Sequence, residues 1–256
     1  MATTTLTTTL ANFLKQHKSN DKKHTHTRIG DKRNNIYGGA YLIEGDDLNK
    51  FYEHYYNHVI VNKHNEYLTE KQPQNGSTIA VDLDFRYDYN VTERQHNKDD
   101  VETIVCLYLS KLKEIFVFNG NTHFHIFVME KPNVNRVQEK NVTKDGIHML
   151  INIKADHNIQ QLLRKNVLNE FDLDLPLTNE PNEVFDDGIS KGTTNWQLYG
   201  SRKPNNEAYQ LSYHYEITVD EMDNEFMINE TPVNMSLDTF KLLSVQYNNL
   251  PSFEIK

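Results

Sequence analysis

The sequence predicts an α+β domain, because stretches that alternate apolar and polar residues are separated by stretches whose apolar residues recur every third or fourth position. Three stretches carry that prediction. Ile79, Val81, Leu83 and Phe85 alternate with Ala80, Asp82, Asp84 and Arg86, which reads as a strand with one buried face. Val101, Ile104, Val105, Tyr108, Leu112, Ile115 and Phe116 fall on one side of a helix, the strongest helical pattern in the chain. Ile147, Met149, Ile151 and Ile153 form one face of a further strand and put His148 on the other.

The remaining elements follow in order. Leu6, Leu10, Phe13 and Leu14 predict a short helix that runs into a basic stretch of Lys15, Lys18, Lys22, Lys23, Arg28, Lys32 and Arg33, read as a solvated loop. Ile36 to Ile43 reads as a strand whose paired Gly38 and Gly39 permit a bulge or a close backbone approach. Asp46 or Asp47 caps a helix to about Val59, and Lys71 to Ser77 is a loop that delivers the chain to the Asp82 strand. Asp99 or Asp100 opens the strongest helix, and Asn119-Gly120 ends it. Phe124, Ile126 and Val128 alternate with His123 and His125 in a strand. The H-x-H pair shares a face, as a metal site would require, but no third imidazole or carboxylate follows in the local sequence, so an exposed strand face is expected. Lys131 to Thr143 is a polar connection, a helix spans about Asn158 to Phe171, and Phe185 to Ile189 is a short strand or turn bearing Asp186 and Asp187. Tyr209, Leu211, Tyr213, Tyr215 and Ile217 alternate along a long strand, Leu237, Phe240 and Leu243 mark a last helix, and Pro251 ends regular structure.

Composition sets limits on function. The chain has 256 residues, 37% hydrophobic and 11% aromatic, enough for one large core. A net charge of -9 argues against coating nucleic acid without regard to sequence, though a local basic groove remains open. One cysteine, Cys106, excludes an intrachain disulfide and a Cys-based zinc cluster. With no signal-peptide pattern and no apolar run long enough to span a bilayer, an intracellular protein is expected.

Asp82 and Asp84 are the chemical signal. On a strand they stand side by side, with Cα atoms about 6.5–7 Å apart. Their repulsion reaches ~4 kcal/mol if the oxygens approach to ~4 Å at an intermediate dielectric. A divalent cation removes that cost, and oxygen-only ligands suit Mg²⁺ or Mn²⁺ better than zinc.

The order of motifs, D-x-D on one strand, G-x-H on a later one, then an acid ahead of Asn195-Trp196-Gln197-Leu198-Tyr199, resembles the archaeo-eukaryotic primase family. It is most similar to the primase domains of helicase-primases of large DNA viruses and to primase-polymerases. The resemblance runs from Thr25-His26-Thr27-Arg28 through Tyr37-Gly38-Gly39 and Tyr67 to Lys71, as far as Tyr215. It implies an RRM-like catalytic lobe with a mixed or antiparallel sheet beside an N-terminal α/β lobe. The lobes would divide at about 1–75 and 76–220, with about 221–256 a helical extension and possible linker to a helicase domain or subunit.

The resemblance also implies roles. Asp82, Asp84 and Asp186 would hold two Mg²⁺ or Mn²⁺ ions, Asp186 being chosen over Asp187 because it lies nine residues before Asn195. Lys144 and His148 would contact the triphosphate of the incoming nucleotide. Gly146 stands where the family usually has serine, leaving only its N–H for a phosphate. Gln197 stands where primase-polymerases often have arginine, so Arg202 or Lys203 would carry that charge, and Arg28 or Arg33 would reach the triphosphate from upstream. Partners would be a single-stranded DNA template and nucleoside triphosphates, in viral-type replication within the host cytoplasm or a replication factory, with no membrane. Two other readings compete: a non-catalytic single-stranded nucleic-acid-binding module, and a D-x-D glycosyltransferase, for which fewer than eighty residues precede Asp82.

Overall fold

The computed structural model describes residues 9–20, 23–220 and 222–256, so Leu6 and Lys22 of the sequence analysis lie outside the described residues. In chain order the elements are α1 (Leu10–Gln16), β1 (His26–Arg28), β2 (Gly39–Tyr41), α2 (Asp46–Tyr55), β3 (Leu68–Glu70), β4 (Ser77–Asp88), α3 (Lys98–Ile115), β5 (His123–Glu130), β6 (Asn135–Val137), β7 (Val142–Ala155), α4 (His157–Leu168), α5 (Pro181–Val184), α6 (Asp187–Ser190), β8 (Trp196–Gln197), β9 (Gln210–Val219), β10 (Phe226–Thr231) and α7 (Leu237–Leu242). The polar connection expected over Lys131 to Thr143 thus contains β6, paired to β7.

Two antiparallel sheets result, a larger one in the order β10-β9-β5-β7-β4 and a smaller one in the order β2-β1-β3-β8. One face of the larger sheet is covered by α3 and α4, through a core that includes Leu83, Leu112, Met149, Ile151 and Ile153. Each such fully buried side chain contributes about 1.5–3 kcal/mol. This layer therefore makes β4 and β7 a rigid platform. The helix α3 begins at Lys98, ahead of both aspartates, and is capped by Asn97: the Asn97 side chain accepts the N–H groups of Asp99 and Asp100, and the Asp100 carboxylate accepts that of Asn97, a capping box.

A bulge corrects the reading of β9. Unbroken alternation would put Tyr209, Leu211, Tyr213, Tyr215 and Ile217 on one face. The register against β5 shifts between Val128 and Met129, which pair with Tyr213 and Leu211. Tyr213, Tyr215 and Ile217 consequently pack toward the helices, whereas Leu211 and Tyr209 pack on the opposite face with Phe127, Leu150 and Trp196. One extra residue reverses every side chain beyond it. Tyr213 and Tyr215 are packing residues and form no stacking platform for bases.

The lobes are not consecutive in sequence. The smaller sheet is completed by β8, and α1 and α2 pack on Leu68, Leu198 and Phe240, so the first lobe draws on the middle and the end of the chain. The last segment departs from the expected helical linker. It contributes β10 to the larger sheet, Phe240 to the smaller lobe, and Phe253 to the helical-face core. The Lys256 N–H donates to the Ile115 carbonyl at 2.9 Å, fastening the segment beside α3.

The basic stretch also separates. Arg28 lies on β1 and makes a two-pronged ion pair with the fully buried Glu66 (2.7 and 2.6 Å), whereas Arg33 sits in an exposed turn at Lys32–Asn34. Among the described residues no helix is long and apolar enough to cross a membrane.

Candidate active site

Strand register assembles the motifs. Along β4 and β7, Asp82 lies opposite His148, Asp84 opposite Gly146, and Arg86 opposite Lys144. Directly opposed residues share a face, and this is the face turned away from α3 and α4. The third acid arrives by a separate route. Leu83 and Phe185 form an isolated antiparallel bridge, after which the Asp186 N–H donates to the Asp82 carbonyl at 3.0 Å. The Asp186 carboxylate caps α6 by accepting the Ile189 N–H at 3.1 Å.

The three acids line a cavity of about 260 Å³ together with Lys131, Lys144 and Lys203. A neighbouring cavity of about 150 Å³ shares Asp82, Asp186, His148 and Lys203 and adds Asn195 and Arg202. Charge is crowded here. Burial, then the carboxylates of Asp186 and Asp84, push Asp82 up to about 7, against the pull of Lys203 and Lys131. Burial and the same two lysines hold His148 well below the usual histidine range, so its imidazole is neutral near pH 7. Burial and Lys203 lower Lys131.

A comparison with known families bears on this arrangement. The model of the C962R protein N-terminal AEP domain, an archaeo-eukaryotic primase domain, matches residues 30–215. The chain belongs to this archaeo-eukaryotic primase family. No curated protein matches it. The span matched in this primase domain contains all three acids, Lys144, Gly146, His148, Asn195, Arg202 and Lys203, whereas Arg28 lies just before it. Membership gives the domain a primase-like function.

Each residue of the primase domain singled out from sequence has a place. Lys144 is tied to Asp84 at 3.0 Å, and Arg86 holds the same carboxylate at 3.2 Å. Gly146 has no room for a side chain, since a Cβ there would overlap the Leu83 carbonyl oxygen across the ladder. His148 is held between two rings, Tyr209 stacked on it with centroids 3.5 Å apart and Trp196 at 4.5 Å. Its Nε2 lies 3.6 Å from the Asp82 carboxylate, so the imidazole faces the acids rather than the helical core. Asn195, just before β8, ties that strand to its neighbours in the smaller sheet, donating to Thr27 on β1 and Thr69 on β3 at 3.2 Å each. Lys203 lines both cavities and Arg202 the second alone. Arg28 and Arg33 line neither, and Arg28 is committed to Glu66; the expectation that one of them reaches the triphosphate is not met in this geometry.

Two lining residues were not singled out, Lys131 and Tyr209. Lys131 follows the last residue of β5 in what reads as a polar connection, with no local signal. Unbroken alternation puts Tyr209 on the buried face, and the bulge interrupts that alternation.

Among the described residues no group of three His, Cys, Asp or Glu is already gathered around a metal position. The donor chemistry nevertheless suits a hard divalent ion, because the cavity offers carboxylate oxygens from three acids. A cation bound there would compete with Lys144 and Arg86 for Asp84.

Proposed function

We propose that the domain is a DNA primase or primase-polymerase, a template-directed nucleotidyltransferase that starts short primers on single-stranded DNA from nucleoside triphosphates. The observation that supports it is the convergence of Asp82, Asp84 and Asp186, from two separate segments, on a cavity shared with Lys131, Lys144 and Lys203. Carboxylates suit cations at the reacting phosphorus, and lysines suit the polyphosphate tail. A binding module needs no such acids, which repel a nucleic-acid backbone. The antiparallel smaller sheet offers no parallel nucleotide-binding lobe of the kind a D-x-D glycosyltransferase would need.

In this proposal Asp82, Asp84 and Asp186 hold Mg²⁺ or Mn²⁺. When bound, such ions activate an attacking 3′-hydroxyl and offset the charge on the pyrophosphate leaving group. The protein's own contribution is placement. His148, neutral and fixed between Tyr209 and Trp196, donates an N–H to a phosphate oxygen without adding charge beside Asp82. Lys131, Lys144 and Lys203 neutralise the tail; the Gly146 N–H, expected to reach a phosphate, is instead buried and donates to the Asp145 carboxylate at 2.9 Å. The rigid ladder between β4 and β7 keeps Asp82, Asp84 and His148 in fixed relation, so little reorganisation is needed on binding.

The test supplies unprimed single-stranded DNA, labelled nucleoside triphosphates and either Mg²⁺ or Mn²⁺. Short oligonucleotides are expected from the wild type and none from D82A/D84A. A wild type that binds single-stranded DNA but makes no product, with the double variant binding equally, would favour the non-catalytic module.

A further inference from the structure

Tyr209 enters the cavity only because of the bulge in β9, and bulges beside active sites commonly re-aim one side chain. Its position is specific. The ring stacks on His148 with an interplanar angle of 17°, and the Lys131 ammonium lies 4.9 Å from the same ring centroid. Its hydroxyl lies 3.3 Å from the point a Cβ on Gly146 would occupy, so it covers the place where β7 presents no side chain. Among the described residues that hydroxyl makes no hydrogen bond to the protein, although it lines a cavity rich in charged groups. The His148 side chain makes no hydrogen bond either, its Nε2 lying 3.6 Å from the Asp82 carboxylate. A phenol and an imidazole stacked together, neither hydrogen-bonded and both facing the same space, make a pair of donors suited to an anionic ligand.

We propose that Tyr209 contacts the bound nucleotide, its hydroxyl donating to a phosphate oxygen beside Lys131 while its ring fixes the His148 imidazole. The proposal rests on the nucleotidyl-transfer reading of the cavity and adds a recognition residue to it. The phenol is a donor suited to this place, since it adds no charge between three carboxylates and three lysines. Gly146 and Tyr209 are neighbours: β7 carries no side chain at Gly146, and the hydroxyl of Tyr209, the residue immediately before β9, lies beside that position.

The experiment titrates ATP and adenosine, with Mg²⁺ and without DNA, into the full chain as wild type, Y209F and Y209A, alongside thermal melts. A lost hydrogen bond to a charged group predicts ATP binding weakened about tenfold or more in Y209F, with adenosine binding and melting temperature unchanged. In primer synthesis the same variant should raise the nucleotide KM by a similar factor. Y209A should lose more, since His148 then loses its stacking partner as well. Y209F that binds ATP within twofold of wild type overturns the proposal for Tyr209 alone. A wild type that binds no ATP overturns the nucleotidyl-transfer reading and this proposal with it.

Discussion

The face of the larger sheet turned away from the helices carries titratable clusters at both ends, and they differ in how far their polar groups satisfy one another. Toward β5 and β9, His125 Nδ1 lies 3.1 Å from His214 Nε2, and His123 pairs with Glu216 at 2.5 Å. Toward β4 and β7, Asp82 and Asp186 repel, His148 approaches Asp82 only to 3.6 Å, and the Tyr209 hydroxyl is unpartnered. The first cluster is closed on itself. In the second, Asp84 is held by Lys144 and Arg86, but the Asp82 carboxylate, the His148 imidazole and the Tyr209 hydroxyl have no hydrogen bond within the protein, a cost that a protein carries where a ligand will supply what is missing. H-x-H and D-x-D look equally suggestive in sequence, and this difference separates them.

The largest test of that contrast is catalytic. D82A, D84A or D186A should each reduce primer synthesis by about 10³-fold or more, equivalent to about 4 kcal/mol, whereas H125A and H214A should leave it within about twofold. D82A should also melt no lower than wild type, because it relieves repulsion with Asp84 and Asp186. A marked fall in its melting temperature would mean that the acids support the fold.

Next in size is R28A, which strands the buried Glu66 carboxylate and should cost about 3–5 kcal/mol in chemical denaturation. R28M/E66L should recover most of that stability and remain active; inactivity with full stability would return Arg28 to the site.

G146S should destabilise by about 1–3 kcal/mol, as overpacking does, and lose activity, since its Cβ must displace the Leu83 carbonyl between Asp82 and Asp84. Denaturant unfolding and primer synthesis check the two effects. Wild-type stability in G146S would show that β4 and β7 can separate at little cost.

The smallest effect belongs to the histidine end. Burial, then His125, push His214 down to about 4 from an ordinary value near 6.5. The unfolded chain therefore binds this proton first. Stability from this group is complete above about pH 6.5 and is lost as pH falls toward 4, by roughly 1–2 kcal/mol allowing for its half-open position. H214F should flatten that part of the stability–pH curve, and an unchanged curve would reassign the titration.

Much of the fold was legible because alternation and 3.6-residue spacing are local properties. They put Asp82, Asp84 and His148 on the strand faces away from the apolar residues and marked the stretches that form α3 and α4. Motif order pointed to the primase family, which the match over residues 30–215 bears out. Smaller elements such as β1, β3 and β8 were not legible, since strands of two or three residues are stabilised by their neighbours rather than by their own pattern.

Local pattern determined which residues each strand would expose, because side-chain alternation needs nothing beyond the strand itself. Tertiary structure alone decided which exposed residues meet. Strand pairing set His148 against Asp82, a single bridge at Phe185 carried Asp186 to them, and one bulge turned Tyr209 from the core to the cavity. The same long-range pairing closed the histidines on one another and bound Arg28 to Glu66. Register, bulges and partner choice depend on chain segments distant in sequence, and no local period encodes them.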